Sequence, residues 1–113
     1  MREPLRGDIW LAELKRSDGC VIYGTRPVVV MSRCQDSRRS GIITVVPVTS
    51  RAKRPMACHV NLAGHGLDRA SVALAEQITT ISRSSLRAFI GSLAGTPELR
   101  RIELALKRQM FAA

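Results

Sequence analysis

The chain has 113 residues, enough for one domain spanning 1–113 and too few for a second. Its 45% hydrophobic content and mean hydropathy of +0.01 exclude disorder throughout, and the longest apolar runs, Pro27–Met31 and Ile42–Val48, fall far short of the roughly 20 residues that span a bilayer. Eighteen Lys and Arg against nine Asp and Glu give a net charge of +9, a field that attracts polyanions.

Met1-Arg2-Glu3-Pro4 offers no apolar stretch for a signal peptide, so a soluble, cytoplasmic protein with no membrane partner is expected. The four aromatic residues, Trp10, Tyr23, Phe89 and Phe111, are too few for a platform of stacked bases. Cys20, Cys34 and Cys58 are odd in number, widely spaced and without a C-x-x-C pair, which fits a reducing compartment. Cys58, His59 and His65 are soft donors, but a closed zinc site needs a fourth ligand at regular spacing; no metal and no cofactor is expected.

Gly7–Leu14 (GDIWLAEL) reads as a first strand, apolar on both faces. A polar loop, Lys15–Thr25, leads to Arg26–Ser32 (RPVVVMS), rich in β-branched residues, with Pro27 at a permitted first position. Ile42–Thr49 (IITVVPVT) reads as a central strand in which Pro47 removes a backbone donor and demands an edge or a bulge. The basic loop Ser50–Pro55 precedes a short strand within Ala57–Leu62, and Ala63–Arg69, with two glycines, reads as a turn.

Ser71–Ile81 (SVALAEQITTI) is read as one strand, Ser82 as the cap of a single helical turn through Leu86, and Ala88–Leu93 as a last strand. Thr96 then caps a helix with Pro97 in its first turn, and Leu99, Ile102, Leu106 and Met110 form one apolar stripe. The fold class is mainly β (α+β): a small antiparallel, partly open SH3-like barrel with a C-terminal helix packed on the sheet.

Five segments stand in order: RGDIW (Arg6–Trp10), GTRPVVVMS (Gly24–Ser32), ITVVPVTS (Ile43–Ser50), SVALAEQITTI (Ser71–Ile81) and FIGSL (Phe89–Leu93). Together they resemble the MazF/PemK family of toxin endoribonucleases from bacterial toxin–antitoxin modules, over nearly the whole chain. The resemblance implies a homodimer that cuts single-stranded RNA at a short sequence without a metal. The route it implies is attack of the 2′-hydroxyl on the adjacent phosphorus, leaving a 2′,3′-cyclic phosphate and a 5′-hydroxyl. It also implies an acidic antitoxin whose disordered tail occupies the RNA groove.

That chemistry needs charge stabilisation and proton transfer but no protein nucleophile, so the cysteines are not required. Arg26 matches the catalytic arginine of the family's G-x-R-P motif, and its planar fork suits phosphate oxygens. Thr49 matches the hydroxyl that contacts the scissile phosphate, with Ser50 beside it; equally, a strand-terminal threonine bonds the following backbone. Gln77 matches a residue able to read a base edge, and Glu76 is placed either to orient Arg26 or to serve structurally.

Lys15, Arg16, Arg51, Lys53 and Arg54 are candidate phosphate-tracking residues on two loops. The first loop, KRSDGCVIYGT, lacks the Ser-Glu-Gln-x-Gly wording common in relatives, which leaves the recognised RNA word open. It also lacks the histidine that some relatives use there, so the general acid and base are open, with Asp18 a loop carboxylate nearby in sequence. Two other classes compete with the nuclease reading. A gyrase-poisoning toxin of the same architecture is opposed by the absence of a Trp-Gly-Ile-type tail after Met110, and a silent RNA-binding protein by the intact Arg26 and Thr49 motifs.

Overall fold

The computed structural model describes residues 2–16, 19, 21–33, 38–51 and 55–111. Seven strands follow in chain order: β1 (Asp8–Leu14), β2 (Gly24–Val30), β3 (Ile42–Thr49), β4 (His59–Leu62), β5 (Ser71–Leu74), β6 (Thr79–Ser82) and β7 (Leu86–Ser92). One helix, α1 (Pro97–Phe111), closes the described chain. All pairings are antiparallel, in the order β4-β5-β3-β2-β1-β7, with β6 also on β3. This is the partly open antiparallel barrel with a C-terminal helix expected from the sequence.

The first three strands are apolar on alternate positions of both faces, so each face finds its own core. Ile9, Val29, Val46 and Val48 join Leu62, Leu93 and Ile102 beneath the helix, while Trp10, Val28, Val30, Ile43 and Val45 fill the opposite side. Asp8 enters β1 buried, yet its carboxylate accepts from Leu5 N at 2.9 Å, from Trp10 Nε1 at 3.3 Å and from Arg2 at 3.4 Å. A buried carboxylate so partnered does not carry the full desolvation penalty.

Pro47 is on neither an edge nor a bulge. It lies opposite Val28, where β3 changes its other partner: residues 42–45 pair with β6, and Val48 and Thr49 pair with β5. A missing donor is tolerated in that gap because no ladder crosses it on one side. The same switch corrects the reading of Ser71–Ile81 as one strand. A 3-10 turn at Ala75–Gln77 divides it into β5 and β6, which reach two different stretches of β3.

Ser82 caps the second 3-10 turn, Arg83–Ser85, its hydroxyl accepting from Ser84 N at 3.3 Å. Thr96 Oγ1 likewise accepts from Leu99 N at 3.2 Å, so the helix starts where its cap predicts. Its buried stripe is Ile102 and Ala105 with Leu99 and Leu106 half-buried; Met110, expected in that stripe, is 56% exposed because the helix has run past the sheet. Full burial of Ile102 is worth about 1.5–3 kcal/mol.

The β4–β5 connection is locked onto β7 by close backbone approach. Gly64, His65 and Gly66 all have positive φ, and a Cβ placed at Gly91 would sit 1.8 Å from the His65 carbonyl oxygen. A Cβ at Gly66 would lie 2.2 Å from the Ile90 carbonyl oxygen. His65 Nε2 lies 3.1 Å from Glu98 Oε2, tying the turn to the first turn of α1.

Candidate nucleic-acid interface

Arg26 stands near the start of β2, opposite Ala12 of β1, where the ladder fixes its backbone. Its Nε donates to the Tyr23 carbonyl at 2.8 Å and its Nη1 to Thr49 Oγ1 at 3.4 Å. The loop carbonyl and the strand hydroxyl therefore set the plane of the guanidinium and leave the rest of its donors available.

Thr49 is the last residue of β3, paired with Val72 and buried. Its oxygen also accepts from Arg51 N at 3.1 Å, so it does bond the following backbone, and the same oxygen meets Arg26. With both lone pairs engaged, the hydroxyl keeps one hydrogen to donate, which no acceptor among the described residues takes.

Arg26, Thr49 and Ser50 line one cleft of about 190 Å³, together with Asp68 and Arg69 from the turn before β5. Asp68 and Arg69 were not singled out in the sequence. The clue was a charged pair directly before a strand, but its meaning depends on the Thr49–Val72 pairing, which composition does not reveal. Asp68 is the one carboxylate among the residues lining this cleft.

Lys15 and Gln77 line a different groove of about 390 Å³, between the β1–β2 connection and β6. Gln77 Oε1 accepts from Ile22 N at 2.7 Å. Its acceptor atom thus pins the β1–β2 connection one residue before Tyr23, whose carbonyl holds Arg26. Arg16 lies over the Tyr23 ring, its guanidinium carbon 5.0 Å from the centroid, and further anchors that connection.

Glu76 does not orient Arg26. Its Oε2 lies 2.9 Å from His59 Nε2 and its Oε1 accepts from Cys58 Sγ at 3.5 Å, because the 3-10 turn carries it past the end of the β4–β5 ladder toward β4. Burial, and then the Glu76 charge, push the Cys58 thiol above its usual range. Asp18, Cys20, Cys34, Lys53 and Arg54 lie outside the described residues.

A barrel with an aimed guanidinium, an adjacent hydroxyl donor and, among the described residues, no ion pair to Arg26 or Arg69 is equipped to bind a phosphodiester. A family model described as PemK-like, MazF-like toxin of type II toxin–antitoxin systems matches residues 5–110, and the chain belongs to that family. It is 34% identical over 85 residues to the endoribonuclease MazF of Staphylococcus saprophyticus, covering 73% of this chain and 71% of that protein.

Among solved structures it resembles MazF of Deinococcus radiodurans, with a TM-score of 0.83 and 25% identity over 97% of this chain and 98% of the other. A MazE-MazF structure from the same organism gives a TM-score of 0.70 and 25% identity, again over 97% and 98%. No described helix is long and apolar enough to cross a membrane.

Proposed function

We propose that the chain is a sequence-specific, metal-independent endoribonuclease toxin of the cytoplasm that cleaves single-stranded mRNA, inhibiting translation and growth. The observation that carries the reading is the Arg26–Thr49 pair at 3.4 Å, with donors to spare, at the mouth of a basic cleft. Family membership and the RNA-cleaving relative support it.

In the proposed reaction the substrate's 2′-oxygen forms a bond to phosphorus and the bond from phosphorus to the 5′-oxygen breaks. The 2′-hydroxyl gives up its proton and the departing 5′-oxygen gains one, leaving a 2′,3′-cyclic phosphate and a 5′-hydroxyl. Arg26 and the Thr49 hydroxyl donate to the non-bridging oxygens, where the phosphorane's extra negative charge develops. A guanidinium stays protonated, so Arg26 stabilises charge and does not shuttle protons. Asp68 is the cleft residue to test as proton acceptor.

Ser50, Arg51 and Arg69, with Lys15 and Arg16 farther along, follow the RNA backbone, and Lys53, outside the described residues, is assigned the same role from the sequence. The role of Gln77 includes holding the connection that aims Arg26. The functional unit is a homodimer neutralised by an acidic antitoxin whose disordered tail competes for the basic cleft, a reading supported by the net charge of +9 and the similarity to MazF in its MazE complex.

Cleavage of a long single-stranded RNA in EDTA, mapped by primer extension beside Arg26→Ala and Thr49→Val, tests this. Cuts at one short word with 5′-hydroxyl ends, lost in Arg26→Ala, are the expected result. RNA left intact by the wild-type chain, with or without magnesium, sinks the reading.

A further inference from the structure

Outside the phosphate cleft, three side chains with metal-binding atoms converge without a role in RNA cleavage. Cys58 Sγ, His59 Nε2 and a Glu76 carboxylate oxygen all lie within 4.8 Å of one another. The fold brings them together for a local reason. His59 opens β4 opposite Leu74, the last residue of β5, so Glu76, two residues beyond the ladder, overhangs the start of β4. The turn before β4, closed by His59 N donating to the Met56 carbonyl at 3.0 Å, lets Cys58 and His59 face the same carboxylate although they are neighbours in sequence.

From these distances and donor types we infer a binding site for a zinc-class divalent cation, held by Cys58, His59 and Glu76 with a fourth position open to solvent. In a tetrahedral zinc site with bonds of about 2.0–2.3 Å, adjacent ligand atoms stand about 3.3–3.6 Å apart. The Sγ–Oε1 separation is already 3.5 Å and the Nε2–Oε2 separation 2.9 Å, and the donor atoms all lie within 4.8 Å of one another, so seating the ion needs side-chain adjustments of about 1–1.5 Å. Sulfur and imidazole nitrogen select zinc over magnesium or calcium, which take oxygen ligands.

Charge fits as well. A thiolate, a carboxylate and a neutral imidazole sum to the −2 that a dication neutralises, in a chain otherwise rich in positive charge. Half-burial limits competition from water: the His59 and Glu76 side chains are 10% and 22% exposed.

The ion would fasten the start of β4 to the 3-10 turn that also carries Gln77, and through Gln77 the connection behind Arg26. It takes no part in the cleavage chemistry, and RNA cleavage in EDTA remains the separate test of the nuclease reading.

The experiment uses the full chain carrying Cys20→Ser and Cys34→Ser, reduced and freed of metal. Cobalt is titrated first and then displaced by zinc, with absorbance and thermal unfolding followed. The expected result is one ion per chain, a thiolate-to-cobalt charge-transfer band that zinc abolishes, and a Tm raised by several degrees at saturating zinc. Cys58→Ser removes the band. Glu76→Gln and His59→Gln each weaken zinc binding at least about tenfold, as the loss of even an outer-sphere partner does. Both are checked for an unchanged circular dichroism spectrum, so the conclusion does not depend on Cys58→Ser folding. Absence of the band, a Tm indifferent to zinc, or equal zinc affinity in Glu76→Gln and the parent overturns the inference.

Discussion

The arginines of this chain meet two fates. Around the N-terminal segment four are paired: Arg2 with Asp8 at 3.4 Å, Arg6 with Glu103 at 2.6 Å, and Arg38 and Arg83 with a shared Glu3 at 3.2 and 2.8 Å. In the cleft, Arg26 and Arg69 have no ion pair among the described residues, and neither has Arg51, which follows the cleft residue Ser50 in the chain. A net charge of +9 is therefore not a uniform coat. Among the described residues the ion pairs of arginine gather at the N-terminal segment, whereas the cleft holds Arg26 and Arg69 beside one carboxylate, Asp68, that pairs with neither.

The sharpest way to break this contrast is at Arg26. Arg26→Ala is expected to lower the cleavage rate about 10²–10³-fold, the usual cost of losing one transition-state donor. Arg26→Lys recovers little of it, because an ammonium lacks the planar fork that bonds Tyr23 O and Thr49 Oγ1 and still presents parallel N–H donors to a phosphate. Single-turnover cleavage of one RNA measures both, with Tm as a control for folding.

A smaller effect sharpens the same contrast. Arg69→Ala should weaken RNA binding a few-fold at low salt and reduce the slope of log affinity against log salt by about one, with little change in the word that is cut. Fluorescence anisotropy over a salt series reads this.

On the paired side, Arg83→Ala is expected to leave cleavage unchanged and cost less than about 1 kcal/mol of stability, since Arg83 and Glu3 are both partly exposed. Urea unfolding beside the cleavage assay gives both values. A large loss of activity would show that the two groups of arginines are not functionally distinct.

The smallest effect is in the pH dependence of a histidine pair on the same side. The hydrogen bond from His65 holds the Glu98 carboxyl below its ordinary value of 4.5. As pH falls, the unfolded chain takes up this proton before the folded chain does. The stabilisation is complete above the ordinary carboxylate value and disappears as pH falls through the lowered one. Denaturation midpoints between pH 6 and pH 3 should therefore converge for the wild type and Glu98→Gln.

Much of the fold was legible because its signals are local. The β-branched runs of β2 and β3, the Thr96 cap and the Ser82 cap each act within a few residues. The break at Ala75–Gln77 was not legible, since its cause is remote: the register of β5 on β3 is offset by three residues from that of β6, and the 3-10 turn takes up the difference. Motif matching picked out Arg26 and Thr49 separately, and the fold brings their side chains to 3.4 Å. It could not show that Glu76 turns toward His59, or that Arg69 reaches the same cleft, because both follow from the β4–β5 and β3–β5 ladders.

The contact between Gly91 and the His65 carbonyl has a genetic consequence. A single methyl group there must push the β4–β5 connection off β7, and that connection carries Arg69 into the cleft. Under the proposed function, in which the toxin inhibits growth, survivors of induction are a selection for broken copies. Such survivors should carry changes at Gly91 and Gly66 as readily as at Arg26, so an inventory of escape alleles would trace the backbone interlock together with the reaction centre.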